Sequence, residues 1–226
     1  MKKLIIIVLF LNCLLLQAKS NHRPVLNILE DFFRFENVEQ LTLYFGAKNV
    51  FTESSYFGDP NQGGKSYLVS QVNFGTSKSV LLIWNIEGNQ LCEIKTNVYF
   101  YDFDSKELKL IPNRWKTGQG IFAGMRLSQL VEINRFPMGV NFQNEPGETT
   151  YGNLLIHFGW IKNEMDVPYS VQKLVYVYTL DLKRIHKFFP QIPSGTLKSN
   201  NKILKKLNPM IEMLTIYREG LKPEQE

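Results

Sequence analysis

Three features of the sequence predict an α+β fold. Helical apolar spacing precedes each of two strand-rich regions, apolar and polar residues alternate from Ser66 onwards, and short turn-forming connections separate the alternating runs. The arrangement they predict is two tandem units, each a short helix or helix pair packed on an antiparallel sheet, plus a C-terminal helix. The expected boundaries are a signal peptide at 1–20, a first helix-plus-antiparallel-sheet unit at 21–116, a second at 117–198, and a C-terminal helix and tail at 199–226.

The opening "MKKLIIIVLFLNCLLLQAKS" places Lys2 and Lys3 before an apolar run from Leu4 to Leu16 and closes on Ala18 and Ser20, the pattern of an export signal. The run is shorter than the roughly 20 residues a membrane-spanning helix needs, and no second long apolar run follows, so cleavage after Ser20 and an exported product, periplasmic or secreted, are expected. A lipid-attachment cysteine follows small residues and ends its apolar run. Cys13 follows Asn12 and is continued by Leu14, Leu15 and Leu16, so it is read as part of the discarded signal.

Removing Lys2, Lys3 and Lys19 lowers the basic count from 26 to 23 against 21 acidic residues, and the formal charge falls from +5 to +2. So small a charge makes no electrostatic case for nucleic acid or anionic membranes. Cys92 is then the remaining cysteine, so no internal disulfide forms and core packing must supply stability.

In chain order, "VLNILEDFFRF" has the spacing of a mostly buried helix. In "NVEQLTLYFGAKNV", Asn37 caps a helix, Gln40 reaches back, and Gly46 stops it. Asp-Pro and Gly-Gly mark Tyr56 to Ser66 as a loop. "SYLVSQVNF", "SVLLIWNI" and "LCEIKTNVYFYDF", separated by "GTSK" and "EGNQ", form an antiparallel meander, and "LKLIP" a fourth strand. In the third strand Cys92, Ile94, Thr96, Val98 and Phe100 share a buried face, leaving Glu93, Lys95 and Asn97 on a wet one. Further on, "GVNFQ", "YGNLLIHFGWI" and "VQKLVYVYTLDL" read as strands, with "NEPGETT" and "KNEMDVP" as turns. At the end, Asn208 and Pro209 suit the start of a helix running to Arg218.

No cofactor or metal is expected. "GQGIFAG" lacks the lysine and hydroxyl of a phosphate loop and the spacing of a dinucleotide loop. Gly118, Gly120 and Gly124 are read as a turn leading to Leu127, Leu130 and Val131, which face a sheet. His22, His157 and His186 are too scattered for a metal site, and Cys92 on an apolar face is expected to be an inert thiol. Asp102, Asp104 and Glu107 cluster at one turn, as either an acid-base group or a solvated hairpin tip. They do not offer the ligand series of a calcium loop. Tyr99 and Tyr101 on one strand, and Tyr176 and Tyr178 on another, are candidate partner-binding residues, because exposed tyrosines bury area at little entropic cost; cross-strand packing is their other role.

"GIFAGMRLSQLVEINRFPM" resembles the Gly-Met-(Ser/Thr)-x-x-(Glu/Gln)-Leu/Val helix and following proline of small exported α+β domains of the β-lactamase-inhibitor-like and outer-membrane-assembly-lipoprotein type. It is also similar to the helix start of exported proteins of Bacteroidetes-like bacteria, where a Tyr-Gly pair and a strand follow, as in "TYGNLLIHFGW". "NVEQLTLYFGAKNV" is similar to the first helix of such repeats. Arg126 stands where the family has a capping hydroxyl, and "NRFP" lacks its glycine. The resemblance implies a non-catalytic protein-binding module and transfers no active site. The function expected is therefore an exported, non-enzymatic binding protein of the cell envelope, recognising a protein or envelope component. The alternative is a secreted carboxylate-dependent hydrolase working through carboxylates near Asp102 and Asp104, favoured only if they converge with His157 or His186 in one pocket.

Overall fold

The computed structural model describes residues 25–57, 64–102, 104–144, 150–155, 159–166, 173–181 and 195–221. The expected signal peptide with Cys13, and the histidines His22, His157 and His186, lie outside them. A 3-10 turn at Leu29–Arg34 is followed by α1 (Val38–Phe45), β1 (Val50–Phe57), β2 (Lys65–Val72), β3 (Val80–Asn85), β4 (Leu91–Asn97), β5 (Tyr99–Asp102) and β6 (Glu107–Leu110). Then come α2 (Leu127–Asn134), β7 (Gly139–Asn144), β8 (Thr150–Leu155), β9 (Glu164–Asp166), β10 (Lys173–Leu180), β11 (Gly195–Lys198), α3 (Lys202–Leu207) and β12 (Ile211–Arg218).

The mixed α+β class holds, with one large antiparallel sheet and few helices. Its ten strands run β1-β2-β3-β4-β12-β10-β8-β7-β11, with β9 also on β10, while β5 and β6 form a separate two-stranded ribbon. The two strand-rich regions thus share one sheet where the sequence predicts two, and β12 joins them. It pairs with β4 through Met213 to Tyr217 and with β10 through Ile211 to Arg218.

This placement corrects the expected C-terminal helix. Helix α3 ends at Leu207, where Asn208 adopts the left-handed conformation at φ 42 and donates its N–H to Leu204 O at 2.8 Å. Asparagine is tolerated at such a helix stop, so the residue expected to begin a helix ends one. The following "IEMLTIYR" satisfies a helical and a strand period about equally, and the open ladders of β4 and β10 select the strand.

Cross-strand register puts Leu82, Ile94, Ile216 and Tyr176 in one row on the buried face of β3, β4, β12 and β10. They form one core with Phe32 of the 3-10 turn, Leu41 of α1, Ile121, and Leu127 and Leu130 of α2. The segment expected as a helix at 25–35 is the 3-10 turn instead. Asp31 Oδ2 accepts the amides of Asn27 and Ile28 at 2.7 and 3.0 Å, which uses the side chain to close a tight turn.

Helix α1 is capped as its sequence predicts. Asn37 Oδ1 accepts from Gln40 N, and Gln40 Oε1 accepts from Glu36 N, both at 2.8 Å. Helix α2 is capped differently, with Arg126 N donating to Gln129 Oε1 at 3.0 Å and Ser128 N to Asn208 Oδ1 at 2.9 Å. The distant Asn208 thereby replaces the capping hydroxyl that Arg126 cannot supply. Gly120 (φ 81) and Gly124 (φ 107) take backbone conformations other residues rarely adopt, and a Cβ on Gly124 would lie 3.0 Å from Pro112 Cβ.

Two further differences concern the sheet. Strand β1, of weak apolar alternation, occupies an edge, and the expected loop from Tyr56 to Ser66 begins and ends within β1 and β2, its residues 58–63 lying outside those described. Glu93, expected on a wet face, is 1% exposed and sits 3.0 Å from Lys95 Nζ. Ile83 and Tyr217 flank it in register on interior strands, so neighbouring side chains close over it.

If β12 completes the sheet, a chain ending after Pro209 loses its cooperative thermal transition in circular dichroism. Leu214→Ala, deleting a fully buried side chain of that strand, is expected to lower stability by about 2–4 kcal/mol in urea unfolding.

Candidate functional site

A concave site lies between the C-terminal end of α1 and the turn joining β2 to β3. "NFGTSKS", Asn73 to Ser79, must reverse the chain within a few residues, and its own groups fold it. Thr76 Oγ1 donates to Asn73 O at 2.8 Å and accepts Lys78 N at 3.1 Å. Segment 113–115 then locks the turn. Asn113 Nδ2 donates to Ser79 O at 2.7 Å, Arg114 N to Ser77 O at 2.6 Å, and Trp115 Nε1 to Lys78 O at 3.1 Å.

Helix periodicity brings Tyr44 and Phe45 to the opposite side, where their rings meet edge-on at 4.8 Å. Phe32 stacks on Phe45 at 5.8 Å and meets Trp115 edge-on at 5.0 Å, so the aromatic wall is continuous with the core. The cleft between these walls measures about 510 Å³ and is lined by Leu26, Tyr44, Phe45 and Trp115 on the apolar side and by Asn73, Thr76, Ser77 and Lys78 on the polar side. That volume falls within the range of small-molecule sites. The lining offers rings, hydroxyls, an amide and one ammonium, a set that binds a ligand with one apolar face and acceptor-rich edges.

The residues singled out by sequence lie elsewhere. Tyr176 and Tyr178 are 2% and 0% exposed, which corrects their assignment as partner-binding residues: their side of β10 faces the core. Tyr176 Oη donates to Glu30 Oε1 at 2.9 Å, and Gly118 N donates to the two oxygens of Glu30 at 2.9 and 3.1 Å. Gly118 thus receives a carboxylate of the protein itself, in keeping with its structural reading. Burial and the neighbouring negative charge of Glu30 push both tyrosine hydroxyls well above their ordinary range.

Tyr99 and Tyr101 leave the face of Glu93, because the chain turns out of β4 at Val98. Val98 N donates to Glu212 O at 3.1 Å, and Asn97 Oδ1 takes Tyr99 N at 2.9 Å. Tyr99 is half-buried and donates to Asp181 Oδ2 at 2.7 Å, whereas Tyr101 is 45% exposed on the ribbon. Asp102, Asp104 and Glu107 form the ribbon's tip. Asp102 Oδ1 accepts Asp104 N and Ser105 N at 3.0 and 3.3 Å, and its other oxygen is ion-paired with Lys109. The Lys109 hydrogen bond, helped by those amides, draws the Asp102 carboxyl down to about 2. A general acid needs the opposite shift. Cys92 is buried, and burial pushes its thiol up despite the Arg218 guanidinium nearby. Among the described residues no three of His, Cys, Asp and Glu converge as a metal site.

Sequence reasoning missed Tyr44, Lys78 and Trp115. The signal was a turn rich in hydroxyl and amide side chains beside a tryptophan flanked by Arg114 and Lys116, in segments read as connectors.

Glu30→Ala, leaving the Tyr176 hydroxyl and Gly118 amide without their acceptor, is expected to cost about 2–3 kcal/mol in denaturant unfolding. Tyr176 and Tyr178 stay neutral in the fold at pH values where the unfolded chain ionises. Their contribution to stability is therefore complete below the unfolded tyrosine value of about 10 and declines as pH rises above it. Ultraviolet difference titration should show two tyrosines ionising only as the fold is lost.

No family model, no curated protein sequence and no solved structure matches this chain.

Proposed function

We propose that the chain is an exported, non-enzymatic binding protein of the cell envelope, and that its ligand is a saccharide bearing a negative charge. Export rests on the signal-like opening residues. Ligand class rests on one observation: a ring wall of Tyr44, Phe45 and Trp115 faces a polar wall of Asn73, Thr76, Ser77 and Lys78 across a cleft of about 510 Å³. A sugar ring has an apolar C–H face that packs on aromatic rings, and a rim of hydroxyls that exchanges hydrogen bonds with amide and hydroxyl side chains. Lys78 adds a point charge suited to a carboxylate or phosphate substituent.

The lining supports binding over turnover. Among the described residues it holds no carboxylate, imidazole or thiol to transfer a proton or attack a bond. The turn and its three clamps also preorganise the polar wall, which lowers the ordering cost of binding. The hydrolase alternative draws no support from Asp102, whose lowered carboxyl sits at an exposed tip away from the cleft.

Calorimetric titration with matched neutral and acidic oligosaccharides tests this reading. Acidic glycans should bind with quenching of tryptophan fluorescence; Tyr44→Ala should weaken both kinds. Lys78→Ala should weaken acidic glycans by about tenfold while leaving neutral ones unchanged, as expected for loss of one charge-assisted contact. Absence of heat and of fluorescence change across the whole panel would rule the ligand class out.

A further inference from the structure

We propose that the β5–β6 ribbon is a self-association surface, at which two copies of the chain pair along β6, antiparallel about Leu108, into a four-stranded sheet. The inference is independent of the cleft and its ligand. It rests on backbone phase, side-chain facing and charge order.

The ribbon stands apart from the large sheet, and among the described strands β6 pairs with β5 alone. Ile111 N donates to Val98 O at 2.7 Å, so Ile111 turns its amide towards the β5 side. Alternation along an antiparallel strand then turns the peptide groups of Lys109 and Glu107 inward, and those of Leu110 and Leu108 towards the open edge. A two-fold axis at Leu108 therefore allows the two copies of that residue to exchange N–H···O bonds in both directions. An axis at Glu107 or Lys109 would present peptide groups already turned away.

Register within the ribbon opposes Tyr99 to Leu110, Phe100 to Lys109, Tyr101 to Leu108 and Asp102 to Glu107. One face consequently carries Tyr99, Tyr101, Leu108 and Leu110, and the other Phe100, Asp102, Glu107 and Lys109. On the first face Tyr101, Leu108 and Leu110 are 45%, 54% and 45% exposed, an unusual concentration of apolar surface on so short a ribbon. Phe100 packs edge-on against Phe74 at 5.9 Å and Tyr99 donates to Asp181, so the β5 end of both faces is tied to the body while Tyr101, Leu108 and Leu110, with Glu107 and Lys109, stay exposed.

Charge order names the occupant. Antiparallel pairing about Leu108 sets Glu107 of each copy opposite Lys109 of the other, two complementary pairs at closely spaced, non-hydrogen-bonded positions. The same axis brings Leu108 against Leu108 and extends the apolar strip to Tyr101, Leu108, Leu108, Tyr101 across four strands. Shifting the axis by one residue would place Lys109 on Lys109 or Glu107 on Glu107. Backbone phase and charge thus select the same register, and the contact is isologous, so it closes at a dimer. The edge that lysine would ordinarily protect against strand addition is, for this one partner, complementary.

Sedimentation velocity from roughly 1 µM to 1 mM tests the pairing, with the upper limit set by the small size of the ribbon. The wild type is expected to pass from monomer to dimer. Glu107→Lys and Lys109→Glu, each placing like charges at both flanking positions, should weaken dimerisation at least tenfold, and an equimolar mixture of the two variants should restore it as a heterodimer. Because Lys109→Glu also loses the Asp102 ion pair, Leu108→Asp provides a second disruption that leaves that pair in place, and far-ultraviolet circular dichroism checks that each variant folds. A monomer at all concentrations, a dimer indifferent to these substitutions, or variants that fail to recombine would overturn the proposal.

Discussion

The insertion of β12 between β4 and β10 is the constraint on which the sheet depends. The last strand in sequence is a central one in space, hydrogen-bonded along both edges, so the meander β1 to β4 and the later strands cannot form one sheet until the C-terminal segment has arrived. Such pairing has high sequence separation and closes a long loop before its contacts reward it. It also explains how α2 and α3 are tied together. Asn208 ends α3, caps α2 through Ser128 N, and is followed by Pro209, whose carbonyl accepts Leu127 N at 2.8 Å.

The interior on the helix side of that sheet is not wholly apolar. Glu30 enters it from the 3-10 turn and is met by Tyr176 from β10 and by the amide of Gly118. A buried carboxylate is tolerable when its oxygens are hydrogen-bonded, and here the two donors come from segments far apart in sequence from it and from each other. The cluster therefore orients the 3-10 turn against both the glycine-rich stretch and the sheet. Phe32 projects from that same turn and supports Phe45 and Trp115, so the polar cluster indirectly supports the aromatic wall of the cleft.

The cleft and the ribbon express two uses of surface. In the cleft, exposed turn residues are immobilised by hydrogen bonds to segment 113–115, which converts a flexible connection into one wall of a site. In the ribbon, Val98 breaks β4, and the chain re-pairs outside the large sheet, leaving Tyr101, Leu108 and Leu110 exposed. That break changes what Tyr99 and Tyr101 do. An uninterrupted strand would have kept them beside Glu93 and Lys95; instead one ties the ribbon to Asp181 and the other faces outward.

The α+β class, α1 with its Asn37 and Gln40 caps, α2 after the glycine-rich stretch, and the strands of the meander were legible in the sequence, because turn chemistry, capping and apolar period are local properties of the chain. The site was much less so. Trp115 and Lys78 belong to connections whose meaning arises when distant segments lock them together, and Tyr176 and Tyr178 became core residues when β10 turned that side towards Glu30. By itself, then, the sequence determined α1, α2 and the strands β2 to β4, since neighbouring residues decide those choices, whereas the 3-10 turn at Leu29–Arg34, β1, and β9 inside the expected turn "KNEMDVP" were not legible in it. Only the tertiary structure decided that "IEMLTIYR" is a central strand, that Glu93 is buried, and that two sheets are one, because an ambiguous period is settled by the hydrogen-bonding edge it finds.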